Sequence, residues 1–140
     1  MNNARLVAPV FTIAALACSP AFDAPPTLSQ ITLSVTPSVI TPGGTAELEL
    51  ANGSPTSIGA NLCPSTVERR DGSAWVLVAT GQGVFCQMIE HVLAPGARYT
   101  GVKSLDPAVV AGTYRVRTSV VILSDHASVT VFSNSFTVQP

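Results

Sequence analysis

A chain of 140 residues that is 46% hydrophobic and 11% charged has the composition of a folded protein, and its length suffices for one hydrophobic core but not for two. Seven basic residues against eight acidic ones give a formal charge of −1, which excludes the electrostatic footprint of a nucleic-acid binder and the polybasic patch of a protein that docks on anionic lipid.

The chain starts with one cation, Arg5, then the uncharged run from Leu6 to Leu16, then Ala15-Leu16-Ala17-Cys18. A short basic start, an apolar middle of about a dozen residues and small residues at the cut site make a secretory signal over residues 1–17. A permanent transmembrane helix takes about 20 apolar residues, more than this run holds, and no later stretch qualifies. Ala15-Leu16-Ala17-Cys18 resembles a bacterial lipoprotein signal, with Ala15 where leucine is preferred. The resemblance implies that Cys18 becomes the first residue of the mature chain, that its sulfur carries a diacylglycerol, and that the protein is anchored to the membranes of the cell envelope. Each buried acyl CH2 contributes roughly 0.8 kcal/mol, so a multiply acylated cysteine holds stably. Without that resemblance, Ala15-x-Ala17 is an ordinary signal-peptidase site, Cys18 a bystander, and the product a periplasmic or secreted soluble protein.

Ser19-Pro20 and Ala24-Pro25-Pro26 read as an extended tether over residues 18–28, because each proline biases its predecessor away from the helix. One domain follows, over residues 29–140. Removing 17 of 140 residues leaves 123 and takes the charge to −2 with the loss of Arg5.

With Cys18 acylated, Cys63 and Cys86 form an even pair in an oxidising compartment, which favours a disulfide. Closing a loop of about 24 residues would contribute roughly 3 kcal/mol. The other reading is two buried free thiols. Neither cysteine has a CxxC partner, and His91 and His126 lack paired-ligand spacing, so no metal or cofactor is expected.

Hydrophobic periodicity along the domain is two. Ile31, Leu33 and Val35 alternate with polar residues, as do Ala46, Leu48 and Leu50, and Tyr114, Val116, Thr118, Val120 and Ile122 form one face of a long strand whose other face carries Arg115, Arg117 and Ser119. Val129 and Val131 share one phase and Phe132, Phe136 and Val138 the other, which predicts a bulge near residues 131–133. Turn chemistry separates the runs at Thr41-Pro42-Gly43-Gly44, Asn52-Gly53-Ser54-Pro55, Asp71-Gly72, Ala94-Pro95-Gly96 and Ala111-Gly112, with a hairpin expected around Asp71-Gly72. Phe85 to Leu93 also fits a helical stripe and is read as an irregular strand tethered through Cys86. About seven short strands in some 110 residues indicate an all-β, two-sheet antiparallel sandwich, with Tyr114 placed where a tyrosine corner belongs.

Thr41-Pro42-Gly43 before Leu48-x-Leu50-x-Asn52, Val67-Glu68-Arg69 through Asp71-Gly72-x-x-Trp75-Val76, Leu93-x-Pro95-Gly96, Ala111-Gly112-Thr113-Tyr114-Arg115-Val116 and Ser133-Asn134-x-Phe136 together resemble a bacterial immunoglobulin-like domain. The match covers nearly the whole domain and departs from the usual pattern at Ala111, where a proline commonly precedes the glycine. It implies an immunoglobulin-like antiparallel β-sandwich without shared catalytic machinery, hence a binding or structural module whose partner, an envelope protein or a glycan, is not named by the fold.

The residues offer little else. G-x-S-x-G is absent, Asp125 and His126 are neighbours in a turn, Gly81-x-Gly83 lacks a flanking strand and helix, and the acids are scattered without a calcium-loop pattern, so no catalytic residue is expected. Glu68, Arg69, Arg70 and Asp71 form a candidate interaction patch, the bland reading being a solvated hairpin tip. Trp75 is expected to be a buried sandwich tryptophan, a partner anchor being its other role. A second class of function is a secreted protease inhibitor, because Leu93-x-Pro95-Gly96 and Gly112-Thr113-Tyr114 distantly resemble the bacterial intracellular proteinase inhibitors. A small exported hydrolase is a third.

Overall fold

The computed structural model describes residues 30–78 and 86–140. Within them the chain forms eleven strand segments: β1 (Ile31–Thr36), β2 (Val39–Ile40), β3 (Thr45–Asn52), β4 (Ile58–Ala60), β5 (Thr66–Asp71), β6 (Ala74–Val78), β7 (His91–Leu93), β8 (Arg98–Ser104), β9 (Gly112–Ile122), β10 (Ala127–Phe132) and β11 (Phe136–Val138). Cys86 to Glu90, expected to be irregular strand, precede β7 without regular structure, and Phe85 lies outside the described residues.

One sheet has the order β1-β3-β8. In the other, β9 is the central column: β10 and β11 pair along one side, β4 and β5 along the other, β7 and β6 lie outside these, and β2 runs parallel to β11. Taken as interrupted columns, β1/β2, β4/β5, β6/β7 and β10/β11 reduce the eleven segments to seven strands. The first, second and fifth pack against the seventh, sixth, third and fourth, the order of an immunoglobulin-like β-sandwich.

The period-two pattern sets the faces. Ile31, Leu33 and Val35 from β1, Ala46, Leu48 and Leu50 from β3, and Tyr114, Val116, Val120 and Ile122 from β9 all enter one core with Ile58, Val67, Phe136 and Val138. Thr118 lies buried on the same face of β9. The Tyr114 hydroxyl donates to the Val110 carbonyl, which is the tyrosine corner, and its ring stacks on Phe136 at 5.9 Å.

The change of phase near the C-terminus is a bulge. Phe132 is opposite Arg117 while Phe136 is opposite Tyr114, so four steps on the β10/β11 column match three on β9. The extra residue frees Asn134 to reach the other sheet, where its side-chain carbonyl accepts the Val35 N–H at 2.7 Å and its amide donates to the Val35 carbonyl at 3.2 Å. The side chain thereby replaces a neighbouring strand for β1. Ser133 closes the gap on the β9 side, where its hydroxyl accepts the Val116 N–H.

The hairpin between β5 and β6 turns through Gly72 and Ser73, with Gly72 at φ 58°, the left-handed conformation that a two-residue hairpin loop with glycine first requires. A second polar centre, the buried Asn52, donates to the carbonyls of Thr56 and Leu93 and accepts from the Ser54 backbone and hydroxyl, tying the end of β3 to the end of β7.

Tyr114→Phe removes one hydrogen bond and is expected to cost about 1 kcal/mol, lowering Tm by about 4–8 °C. Asn134→Ala leaves both polar groups of Val35 unpaired and is expected to cost more, about 1–3 kcal/mol, in the same thermal melts. Equal melting of Asn134→Ala and the unmodified protein would show that the two sheets do not depend on this side chain.

Candidate functional site

The described surface carries its densest side-chain chemistry on the outer face of the larger sheet. Glu68 of β5 lies directly opposite Arg115 of β9, and both point away from the core. Arg115 donates through Nε and Nη2 to the Glu68 carboxylate at 2.7 Å, while Arg117 approaches its second oxygen at 3.8 Å. The Arg115 guanidinium also stacks between two rings, 4.3 Å from Trp75 on β6 and 4.0 Å from Phe132 on β10. Four strands therefore place one cation between a carboxylate and two π faces, an attractive arrangement with all three. This cover leaves Glu68 only 7% exposed although it sits on the outside of a sheet.

The expected patch of Glu68, Arg69, Arg70 and Asp71 is split by strand alternation. Glu68 lies under the arginines, Arg69 pairs across to Tyr114 on the core side, and Arg70 and Asp71 are exposed at the hairpin tip, where Arg70 Nε donates to the Gly72 carbonyl. Trp75, expected in the core, is instead on the outer face and half-buried against Arg115. The reason is register: Trp75 pairs with Arg70 and Leu77 with Glu68, so both take the face of those charges.

Beside the stack, farther along β9, lies a cleft of about 620 Å³ lined in part by Gly59, Leu77, Ile89, Glu90, Arg117 and Ser119. The Glu90 carboxylate rests over Gly59, in space that a Cβ at that position would occupy. Glu90 and Arg117 give the walls opposite charges, and Leu77 and Ile89 give them exposed apolar surface.

The wall containing Glu90 is tied down at its start. Cys86 is bonded to Cys63, with Cα atoms 5.5 Å apart, and the Asn61 amide donates to the Gln87 carbonyl at 2.8 Å. Lys103, on the core side of β8, donates to the Cys63 carbonyl at 3.2 Å. Burial holds the Lys103 ammonium below its usual value of 10.5, because desolvation disfavours the charged form.

The remaining candidates stand apart. Asp125 accepts the Ala127 N–H and shapes the turn in which His126 takes φ 58°, while His91 is stacked on Tyr99 at 4.2 Å on a different strand pair. Among the described residues no three His, Cys, Asp or Glu side chains are grouped to hold a metal. Glu47 and Glu49 are on the outer face of β3, with Glu49 paired to the exposed Arg98. Cys18 and the Gly81-x-Gly83 run lie outside the described residues.

These features define an immunoglobulin-like β-sandwich whose larger sheet presents a charged and aromatic outer face. No family model matches the chain, and no curated protein matches it. Among solved structures it is similar to part of a ceramidase complexed with C2, at 16% identity and a TM-score of 0.46 over 81% of this chain and 20% of that one. It is also similar to a PapD-like domain of human CEP192, at 21% identity and a TM-score of 0.35 over 90% and 96% of the two chains. A third similarity is to the archaellum periplasmic stator protein complex FlaF and FlaG from Sulfolobus acidocaldarius, at 19% identity and a TM-score of 0.41 over 75% and 88%. The chain spans 20% of the ceramidase's length. None of these likenesses carries an activity or a partner to this protein.

Glu68→Ala strands the partly buried Arg115 without its carboxylate and is expected to cost about 2 kcal/mol in urea unfolding, whereas Glu49→Ala, at an exposed pair, changes stability by less than about 0.5 kcal/mol. Similar costs for the two would show that the stack is only a solvated face. Lys103 gives a separate, pH-dependent signature. Below 10.5 the unfolded chain holds a proton on this residue more readily than the folded body does. The charge penalty is therefore complete below the folded pKa and vanishes above 10.5, so stability rises with pH through that window. Lys103→Met is expected to flatten the rise in urea titrations taken across alkaline pH; an unchanged slope would assign the rise to other groups.

Proposed function

We propose that this protein is a non-catalytic immunoglobulin-like module of the bacterial cell envelope, exported by the signal of residues 1–17, held by lipid on Cys18 and set off by the tether of residues 18–28. The outer face of its larger sheet, with the cleft beside Arg117, is the surface offered to an envelope protein or a glycan.

The observation that supports this reading most is the Cys63–Cys86 bond. A disulfide in a small domain fits folding in an oxidising compartment, where an export signal would deliver it. Of the three cysteines it leaves Cys18 outside the pair, at the position where a lipoprotein signal needs it. No helix among the described residues is long and apolar enough to cross a membrane, so membrane attachment in this reading falls to the acyl group. What supports recognition is the character of the face: its most buried charge, Glu68, is already engaged by Arg115, and among the described residues the cleft is lined by the Glu90 carboxylate and the Arg117 guanidinium beside the apolar Leu77 and Ile89.

Detergent-phase partitioning of the full chain made in a bacterial host tests the anchor. Cys18→Ser is expected to move the protein from the detergent phase to the aqueous phase with an unchanged Tm. Cys63→Ser is expected to stay in the detergent phase while losing about 3 kcal/mol of stability. Equal partitioning of Cys18→Ser and the unmodified protein would defeat the lipid anchor, while leaving the sandwich as described.

A further inference from the structure

Asn52 is the one asparagine of the chain that is followed by glycine. An asparagine carboxamide is open to attack by the backbone nitrogen of the next residue, and glycine, having no Cβ, shields that nitrogen least. In the fold neither group is free to react. Asn52 is 1% exposed and its carboxamide is held from both ends. Its Nδ2 donates to the Thr56 and Leu93 carbonyls at 2.9 and 3.0 Å, and its Oδ1 accepts from the Ser54 N–H and hydroxyl at 3.1 and 2.6 Å. The Gly53 nitrogen donates to the Gln30 carbonyl at 2.8 Å, just before β1 begins. Each half of the labile pair is also required where it stands. A Cβ at Gly53 would fall 2.7 Å from the Gln30 carbonyl oxygen, and aspartate and leucine, the side chains nearest asparagine in size, lack the two donors that Thr56 and Leu93 receive.

We propose that Asn52 is a modification site that the native sandwich holds unreacted and that unfolding switches on, so that prolonged unfolding of this protein becomes irreversible. Once the end of β3 is released, the Gly53 nitrogen attacks Asn52 Cγ. A new C–N bond closes a cyclic succinimide, the Cγ–Nδ2 bond breaks, and ammonia leaves carrying the proton of the attacking amide. Water then opens the ring at either carbonyl, giving aspartate or an isoaspartyl linkage that routes the main chain through the former side chain. Neither product fits the native site. Aspartate still accepts from Ser54 but donates nothing to the Thr56 and Leu93 carbonyls, and it sets a buried negative charge against both oxygens. Isoaspartate adds a main-chain carbon where the Asn52 N–H bonds the Ala97 carbonyl, the Asn52 carbonyl accepts the Gly96 N–H and the Gly53 N–H bonds Gln30. The pairing of Asn52 with Ile31, which starts the β1–β3 ladder, is lost with it.

The full chain, incubated at mildly alkaline pH in buffer and in urea above its unfolding midpoint, gives the test. Peptide mass mapping counts deamidation at each asparagine, and enzymatic methylation reads isoaspartate separately. In urea Asn52 is expected to react faster than Asn61 or Asn134, whose following residues carry side chains. In the folded protein the same site is expected to react at least about a hundredfold more slowly, at a rate that follows the unfolded fraction as urea is raised toward the midpoint. Anion exchange then separates deamidated from intact chains by their added charge, so that each is refolded and melted alone. Intact chains are expected to recover their original Tm, and deamidated chains to melt about 5 °C or more lower or to fail to refold. Asn52→Asp supplies one product directly and is expected to show the same loss. Equal rates at Asn52 in the folded and unfolded chain would overturn the inference, as would deamidated protein that refolds with the Tm of the intact chain.

Discussion

The alternation of side chains along β9 constrains everything built around it. Tyr114, Val116, Thr118, Val120 and Ile122 are all buried, and the residues between them face outward or sit half-covered. A slip of one residue against any partner would turn that partner's buried set to solvent, so β9 fixes the register of β4, β5, β10 and β11 together. The same alternation raises Arg115 and Arg117 on the opposite face, which is why the outer surface has cations available for Glu68, Trp75 and Phe132. The core and the candidate recognition face are thus two consequences of one strand's periodicity.

Joining the second sheet takes an exception to that regularity. The extra residue between Phe132 and Phe136 turns a strand that would have run straight along β9 into one that releases Asn134 toward Val35. Backbone groups buried near the junction must find partners, and the carboxamide supplies the donor and acceptor that a strand would otherwise provide. The first strand column uses this junction to change sheets: β1 pairs with β3 in the smaller sheet, and β2 beside β11 in the larger.

Much of this was legible in the sequence, and the limits have physical causes. Half-buried strands announce themselves by alternation, so β1, β3 and β9 follow from residue type alone, as do the hairpin at Gly72, the phase change that marks the bulge and the tyrosine corner. The β4/β5 column was harder to see, because Ile58, Gly59 and Ala60 are buried in succession and show no alternation. Glu68 read as part of a wet hairpin tip, since nothing local says that a carboxylate will be covered; its cover comes from Arg115, 47 residues away, brought opposite by register. Trp75 was misplaced for the same reason: its face is set by pairing with Arg70, while its aromatic character alone suggests a core. Asn134 stood only within the mark Ser133-Asn134-x-Phe136, because its role depends on a strand 99 residues distant.

Function in such a module resides in what the sandwich leaves on its surface, and here the surface is ordered by the strand beneath it. Native-state hydrogen exchange, residue by residue, is the direct test of that dependence. If β9 governs the fold, its amides from Tyr114 to Ile122 exchange only through global unfolding, as one group and at the slowest rate in the protein. Opening of β9 at lower free energy than the β1-β3-β8 sheet, with that sheet still protected, would contradict the account.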